Sequence, residues 1–216
     1  MQPFLTNDRL TRTVTVLSIA LFIPLFVTRG LGKFDFWWWM SANVVGLSAI
    51  AVLLDRGWRE DVSRDLAEAV WKKAGLGLAS ATALYAVFYL GNTTARHLLP
   101  FAGRGIENVY AFKDNVSAVR IALLMAFVIG PGEELFWRGF LQRRLQMEKG
   151  PLRGFLLATT VYTAVHLASG NLMLVLAAGV CGLFWGFLYL RTGSLLVNVI
   201  SHTIWDLVIF LIFPMN

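Results

Sequence analysis

Charged residues and cysteines are both scarce in this chain of 216 residues. Charged side chains make up 15% of the sequence, whereas a soluble domain has about 25%. The single cysteine, Cys181, excludes an internal disulfide and any CxxC metal or redox pair. Only six prolines are present, which argues against a collagen-like or disordered chain. Without long runs of like charge, the formal net charge of +6 does not indicate a nucleic-acid partner.

Hydrophobic residues fill the sequence instead, at 57% of the total. They are collected into runs long enough to cross a bilayer core, which takes about 20 residues of helix. The apolar runs are residues 13–27, 36–54, 74–90, 117–140, 154–167, 172–190 and 194–213. We therefore predict an all-α polytopic membrane protein with about seven transmembrane helices in one bundle.

Two long polar segments lie on either side of the third run. Residues 55–73 carry five acidic and five basic residues, with apolar residues at helical spacing, which predicts an amphipathic helix on the membrane surface. Residues 92–115 are polar and contain Pro100, Gly103 and Gly105, which predicts a loop. We divide the chain into an N-terminal region of three spans, residues 1–116, and a core of residues 117–216 that carries the motifs described below.

The distribution of basic residues predicts the orientation in the membrane. With the N-terminus inside, thirteen of the 19 Lys and Arg residues fall on the inner side. Cytoplasmic loops carry such an excess of Lys and Arg. We therefore predict an integral protein of the bacterial inner (cell) membrane with a cytoplasmic N-terminus.

Six ionisable residues interrupt the apolar runs of the C-terminal half. They are Glu133, Glu134 and Arg138, then His166, then His202 and Asp206. Each ionised group at bilayer depth costs about 2.5–3.5 kcal/mol on insertion scales, and such residues mark functional sites by default. So many of them indicate a polar site inside the bundle rather than an isolated structural ion pair.

Helical spacing separates the roles of these residues. Glu134 and Arg138 are four apart, with the acid first, which favours an ion pair. Glu133 points about 100° away from Glu134 and is left free for chemistry. On the last helix, Asn198, His202 and Asp206 form one polar stripe.

Depth in the membrane supports a single site. Counted from the arginines at the inner ends of their helices, Glu133, His202 and His166 lie about 15, 16 and 19 Å along the helix axes. The three groups therefore fall within about 5 Å of one depth.

Two imidazoles and two carboxylates can activate water for hydrolysis, with the carboxylate as the base. The same set can bind a divalent cation such as zinc through Glu133, His166, His202 and Asp206. However, the HExxH pattern is absent, so the metal interpretation depends on ligand types alone.

The segment PGEELFWRGFLQRRL, which begins at Pro131, resembles the first motif of the CPBP family. These are CAAX protease and bacteriocin-processing intramembrane peptidases, and they include the type II CAAX prenyl endopeptidases. Tyr162-x-x-x-His166 is similar to the second motif, with tyrosine in place of phenylalanine. His202-x-x-x-Asp206 is similar to the third, with Asp206 where the CAAX enzymes often carry asparagine. The resemblance covers residues 117–213 in the family's order.

The resemblance implies a membrane-embedded endopeptidase that cleaves near a membrane-anchored C-terminal segment of a lipidated or membrane-inserted substrate. It implies that Glu133 activates water with help from His166, while His202 and residue 206 stabilise the oxyanion. The supporting residues would be Glu134, Arg138, Tyr162 and Asn198. Both a metal-dependent and a metal-free mechanism are compatible with the family.

Two other functions remain open from the sequence. The first is a non-enzymatic relative, such as a bacteriocin immunity or scaffold protein, although it would not need Glu133, His166 and His202. The second is a proton-coupled transporter, for which buried Glu and His are also normal. A transporter predicts internal repeats and broken helices in both halves, and neither is visible in the sequence.

Overall fold

A computed structural model of the chain describes residues 8–31 and 34–215. Eleven α-helices, together with short π-helical and 3-10 segments, make up most of the described part, and a short hairpin of Gly30–Leu31 (β1) and Phe34–Asp35 (β2) follows the first helix. The helices are α1 (Asp8–Thr28), α2 (Phe36–Leu54), α3 (Arg56–Ala67), α4 (Val70–Leu98), α5 (Ala102–Tyr110), α6 (Ala118–Leu124), α7 (Gly130–Glu134), α8 (Arg143–Lys149), α9 (Pro151–His166), α10 (Leu172–Thr192) and α11 (Leu195–Leu207).

Local sequence signals fix the ends of several helices. Asp35, Asp55, Asn171 and Ser194 cap the N-termini of α2, α3, α10 and α11, and their side chains accept hydrogen bonds from backbone amides of the first turn. Gly193 ends α10 at φ 63°, a conformation that glycine adopts without strain.

Five of the helices, α1, α2, α4, α10 and α11 with its last turn, are long and apolar enough to span a membrane. A sixth span results if residues 102–113 and 118–149, which meet at 91°, are counted together. The all-helical polytopic fold is confirmed, whereas the predicted number of seven spans is not. The segment that falls short is α9, whose 16 residues are fewer than a straight span needs.

The predicted loop at residues 92–115 was wrong, because most of it is helical. The fourth helix continues to Leu98, and α5 then occupies residues 102–110. Tertiary hydrogen bonds hold this polar segment against the end of the chain. The Tyr110 hydroxyl donates to the Ile209 carbonyl at 2.9 Å, and Lys113 Nζ donates to the Phe210 carbonyl at 2.9 Å. Both carbonyls lie in the π-helical turn Val208–Ile212 that ends the last helix.

One continuous helical segment, residues 118–149, carries the first motif. It contains α6, α7 and α8, joined by π-helical segments at Met125–Ile129 and Leu135–Gln142. Pro131 has no amide hydrogen and cannot make the regular helical bond, so the wider turn before it has a local cause. The acidic pair Glu133–Glu134 therefore lies between two irregular turns, which are common at functional sites.

The N-terminal region packs directly on the core. Helix α1 contacts α9, α2 contacts α7, and α4 lies along α11. The Ser48 hydroxyl of α2 donates to the Gly132 carbonyl at 3.1 Å. The N-terminal helices, which carry no motif, thus contribute to the walls around the acidic pair. The inside orientation of the N-terminus stays a prediction, and Lys33, one of the residues counted for it, lies outside the described residues.

Gly154 allows α8 and α9 to meet closely. A Cβ added at Gly154 would lie 2.2 Å from the backbone nitrogen of Gln146. We expect Gly154→Ala to lower the free energy of unfolding by about 2–3 kcal/mol, since backbone must move. Unfolding in detergent micelles would measure the change. Gly179→Ala is the matched control, because its nearest new contact is Thr163 Cγ2 at 3.7 Å. Equal stability of the two variants would contradict the prediction.

The amphipathic helix α3 is present as predicted, although it ends at Ala67, and it is fixed to the first turn of α11. Asp65 Oδ2 accepts a hydrogen bond from the Leu196 amide at 2.8 Å, and Asp65 Oδ1 forms an ion pair with Lys73 Nζ at 2.8 Å. Burial raises the pKa of Asp65, but the hydrogen bonds from Lys73, the Leu196 amide and Ser194 lower it further than burial raises it. The net result is a pKa below the ordinary value of 3.8.

This lowered pKa predicts a pH-dependent stability. The folded state holds the Asp65 proton more weakly than the unfolded state, so the stabilisation is present above about pH 4 and is lost as the pH falls through the folded pKa. We expect Asp65→Asn to reduce the free energy of unfolding by about 1–2 kcal/mol at neutral pH, with a smaller difference at low pH. Unfolding measured from pH 7 downwards checks this. Glu60→Gln, at an exposed site on the same helix, is the control. A difference independent of pH would contradict the prediction.

Candidate active site

Two glycines bring the acidic pair between neighbouring helices. A Cβ added at Gly132 would lie 2.8 Å from Val44 Cγ2 on α2, and one added at Gly130 would lie 2.6 Å from Thr203 Oγ1 on α11. Helix α7 is therefore in close contact with α2 on one side and α11 on the other. As a result, Glu133 and Glu134 are buried in the middle of the bundle, at 6% and 0% exposure.

The carboxylate of Glu134 is the centre of a buried hydrogen-bond network. Its Oε1 accepts from Arg138 Nη1 at 2.8 Å and from His202 Nδ1 at 2.7 Å. Its Oε2 accepts from Asn198 Nδ2 at 3.0 Å. The Glu134–Arg138 pair expected from the spacing is thus confirmed. In addition, Glu134 fixes the imidazole of His202, a contact across 68 positions that no local spacing indicates.

The other nitrogen of His202 faces two further carboxylates. His202 Nε2 lies 3.6 Å from Glu133 Oε2 and 3.5 Å from Asp206 Oδ2. Neither carboxylate accepts a hydrogen bond from any residue in the described part of the chain. Their side chains keep 7% and 10% of their exposure. Because a carboxylate only accepts, His202 Nδ1 carries a proton toward Glu134 and Nε2 is the nitrogen directed at the two free acids.

Trp185 covers the face of the His202 ring. The two ring centroids are 3.7 Å apart and the ring planes differ by 23°. The indole Nε1 donates to Ser201 Oγ at 3.1 Å, and the Trp185 carbonyl accepts from Asn198 Nδ2 at 2.8 Å. Reasoning from the sequence missed Trp185, which lies in the apolar run of α10 with no local signal of a polar partner.

Comparison with known proteins gives one match in this region. Residues 115–208 match the protein family described as type II CAAX prenyl endopeptidase Rce1-like. The matched segment resembles an Rce1-like domain. It contains every candidate site residue from Glu133 to Asp206. No curated protein and no solved structure matches the chain.

The Rce1-like domain and the apolar helices together establish an integral membrane protein. Proteins of this family are generally peptidases of the CAAX protease type. The resemblance stated from the three motifs is therefore confirmed at the level of the family. The roles of individual residues stay predictions.

His166 of the Rce1-like domain is held mainly by its own helix. Its Nδ1 donates to the Tyr162 carbonyl at 2.8 Å, which leaves Nε2 as the nitrogen with a free lone pair. Its ring packs against Phe26 of α1, with centroids 4.6 Å apart. Among the described residues, no hydrogen bond or ion pair joins His166 to Glu133, His202 or Asp206. Three of the four predicted catalytic groups therefore converge, with Glu133 and Asp206 3.6 and 3.5 Å from His202 Nε2, and His166 is not bonded to any of them.

Tyr162 contacts the site through its ring and its backbone carbonyl. The ring packs edge-on against Trp137 at 5.3 Å, and the Arg138 guanidinium lies 4.8 Å from the ring centroid. A phenylalanine would make the same contacts, so the departure from the family's motif at this position is conservative.

The predicted cation ligands do not form a ready metal site. Within residues 8–31 and 34–215, no three side chains of His, Cys, Asp and Glu are arranged to hold a metal ion. Glu133, His202 and Asp206 face one another, but His166 does not complete the set. The divalent cation expected from the ligand types stays a prediction.

Proposed function

We propose that the protein is an intramembrane endopeptidase of the CAAX protease type that hydrolyses a peptide bond near the membrane-anchored C-terminus of its substrate. One observation carries the proposal: the free carboxylates of Glu133 and Asp206 converge on His202 Nε2, while Glu134 fixes His202 Nδ1. This arrangement lies inside an Rce1-like domain.

Glu133 is the general base in this proposal. Its carboxylate takes a proton from a water molecule, whose oxygen attacks the carbonyl carbon of the scissile peptide bond. The C–N bond then breaks, and the proton held by Glu133 passes to the leaving amine. A free carboxylate suits this role because no structural hydrogen bond competes for its lone pairs.

His202 is the group that stabilises the oxyanion of the tetrahedral intermediate. It donates from Nε2, which requires a doubly protonated ring since Nδ1 already donates to Glu134. Asp206 cannot donate a hydrogen bond when ionised, and its position 3.5 Å from Nε2 suits it to balance the charge of the imidazolium instead. Arg138 balances Glu134 in the same way.

His166 has a secondary role in the proposal. With Nδ1 bound to the Tyr162 carbonyl, its Nε2 can only accept a hydrogen bond while the ring is neutral. It can therefore orient a water or a substrate amide, but no described contact relays a proton between it and Glu133.

Reconstitution of the full chain in proteoliposomes tests the proposal. Two membrane-anchored peptides would be offered, one prenylated at a CAAX cysteine and one held by an apolar helix, and mass spectrometry would identify the new C-termini. We expect release of the C-terminal residues by the wild type and none by His202→Gln. Repeating the assay after removal of divalent cations, with metal analysis, separates the two mechanisms. A folded wild type that cleaves neither peptide would favour the non-enzymatic alternative.

A further inference from the structure

The indole of Trp185 is placed to restrain a motion that the hydrogen bond of His202 to Glu134 leaves open. The N–H bond of Nδ1 lies in the plane of the imidazole, and its 2.7 Å hydrogen bond to Glu134 holds that nitrogen. It does not prevent the ring from tilting out of plane, which would swing Nε2 away from Glu133. The stacked indole, with ring centroids 3.7 Å apart and planes 23° apart, blocks the tilt toward α10. Of the aromatic side chains in the described part, Trp185 alone stacks on His202.

Trp185 is itself held by the network that holds Glu134. Asn198 Nδ2 donates both to Glu134 Oε2 and to the Trp185 carbonyl, and Trp185 Nε1 donates to Ser201, the residue before His202. The Arg138 guanidinium lies over the indole at 5.6 Å. The indole therefore has a fixed position relative to Glu134 and His202, the two residues that determine where His202 Nε2 points.

Two glycines beside Trp185 set the position of its helix. A Cβ added at Gly186 would lie 2.7 Å from Phe155, and one added at Gly182 would lie 3.1 Å from Thr159 and from Tyr162. These contacts bring α10 close to α9, as small residues four apart do in membrane helices. With that spacing fixed, the fully buried Trp185 fills the space between α10 and α11.

We propose that Trp185 is a positioning residue for the hydrolytic reaction, which keeps His202 Nε2 directed at Glu133 and Asp206 through its stacked indole. This inference rests on the proposed function, because it concerns the orientation of the group that would bind the oxyanion. It assigns a role to the flat face of the indole, beyond the volume that any apolar side chain would fill.

Two substitutions separate the flat face from the volume. Trp185→Phe keeps an aromatic face, whereas Trp185→Leu removes it and retains apolar packing. We expect kcat to fall by about 10- to 100-fold in Trp185→Leu, as for other losses of orientation near a reacting group. Trp185→Phe should recover most of that loss. The KM should stay nearly unchanged in both variants, because the interaction acts in the transition state rather than in substrate binding.

Trp37→Leu is the matched control for general packing damage. Trp37 is equally deep in the bundle at 3% exposure, donates to the Phe112 carbonyl at 2.8 Å and packs on Phe36 and Phe210 rather than on His202. We expect Trp37→Leu to lower the thermal midpoint of unfolding with little change in kcat. If Trp37→Leu lost as much kcat as Trp185→Leu at equal loss of stability, the positioning role would be overturned.

A spectroscopic readout tests the stack without activity. The chain has three histidines, His97, His166 and His202, so isotope labelling of histidine gives a simple ring spectrum. The ring protons of His202, assigned by their absence in His202→Gln, should be shifted upfield by the indole. This shift should disappear in Trp185→Leu and persist in part in Trp185→Phe.

The two readouts distinguish the failure of one proposal from the failure of the other. An upfield-shifted His202 in a wild type without peptidase activity would overturn the proposed function, and the positioning role with it. An active wild type in which Trp185→Leu matches Trp185→Phe in kcat would overturn the positioning role alone. Unshifted His202 protons in the wild type would also overturn it.

Discussion

Replacement of Glu133 by glutamine is expected to remove peptide hydrolysis while the protein still inserts and folds. Glutamine has the same shape but cannot take a proton from water, and loss of a general base costs about 10²- to 10⁴-fold in rate. The fold should tolerate the change, since no described residue donates a hydrogen bond to the Glu133 carboxylate. The measurement is kcat on a membrane-anchored peptide, together with thermal unfolding in the same detergent.

A matched control comes from an acid outside the site. Glu107 is exposed on α5, so Glu107→Gln makes the same chemical change away from His202. It should leave both kcat and the unfolding midpoint near wild-type values. Retained hydrolysis in Glu133→Gln would remove Glu133 from the mechanism and leave Asp206 as the other free carboxylate beside His202.

Replacement of Glu134 by glutamine is expected to damage both stability and activity. The Glu134 and Arg138 side chains are 0% and 3% exposed, so removal of the carboxylate leaves a buried guanidinium without its partner. Breaking such a pair costs about 3–5 kcal/mol. Activity should fall as well, because His202 Nδ1 loses its charged acceptor.

The double variant Glu134→Gln/Arg138→Met separates these two effects. Without either charge, the free energy of unfolding should recover by about 1–3 kcal/mol relative to the sum of the single variants. The kcat should not recover, since His202 still lacks the carboxylate. Asp61→Asn is the control variant. The Asp61 side chain is 49% exposed and pairs with Arg143, so loss of this pair should lower the free energy of unfolding by less than about 1 kcal/mol. Additive costs in the double variant would mean that Glu134 and Arg138 act independently.

Local spacing predicted those parts of the site that lie on a single helix. Glu134 and Arg138 pair as their four-residue separation indicates, and His202 and Asp206 share a face for the same reason. The apolar runs likewise predicted the polytopic helical fold. These features follow from helix geometry, which acts over a few residues and is visible in one sequence.

Contacts between helices could not be predicted in the same way. The bond from His202 to Glu134 and the stack of Trp185 on His202 depend on how α7, α10 and α11 approach one another. Equal depth in the membrane suggested that His166 joins the other groups, but depth does not determine the direction of a side chain. In the structure, the nearest acceptor for His166 Nδ1 is the carbonyl of its own helix, at Tyr162.

The failed loop prediction at residues 92–115 has a related cause. Pro100 and the glycines indicated a break, and a break does occur between α4 and α5. The helices on either side are stabilised by partners far along the chain, such as the Ile209 carbonyl that binds Tyr110 and the Met215 carbonyl that binds Arg96. Polar side chains of this segment thus donate hydrogen bonds to backbone carbonyls in the last turn of the final helix and just after it.

The π-helical segment Leu135–Gln142 separates the acidic pair from the arginines that follow it, and its length sets the direction of those arginines relative to the pair. In a regular α-helix, each residue inserted or removed turns everything beyond it by about 100°. The wider turns of this segment set the direction in which the next two arginines face. Arg143 faces Asp61 on α3, and Arg144 faces Asp55 at the N-cap of α3. The length of the segment is therefore constrained in addition to the identity of Arg138 within it. A deletion there would leave Glu133 and Glu134 in place and turn the arginines away from the surface helix.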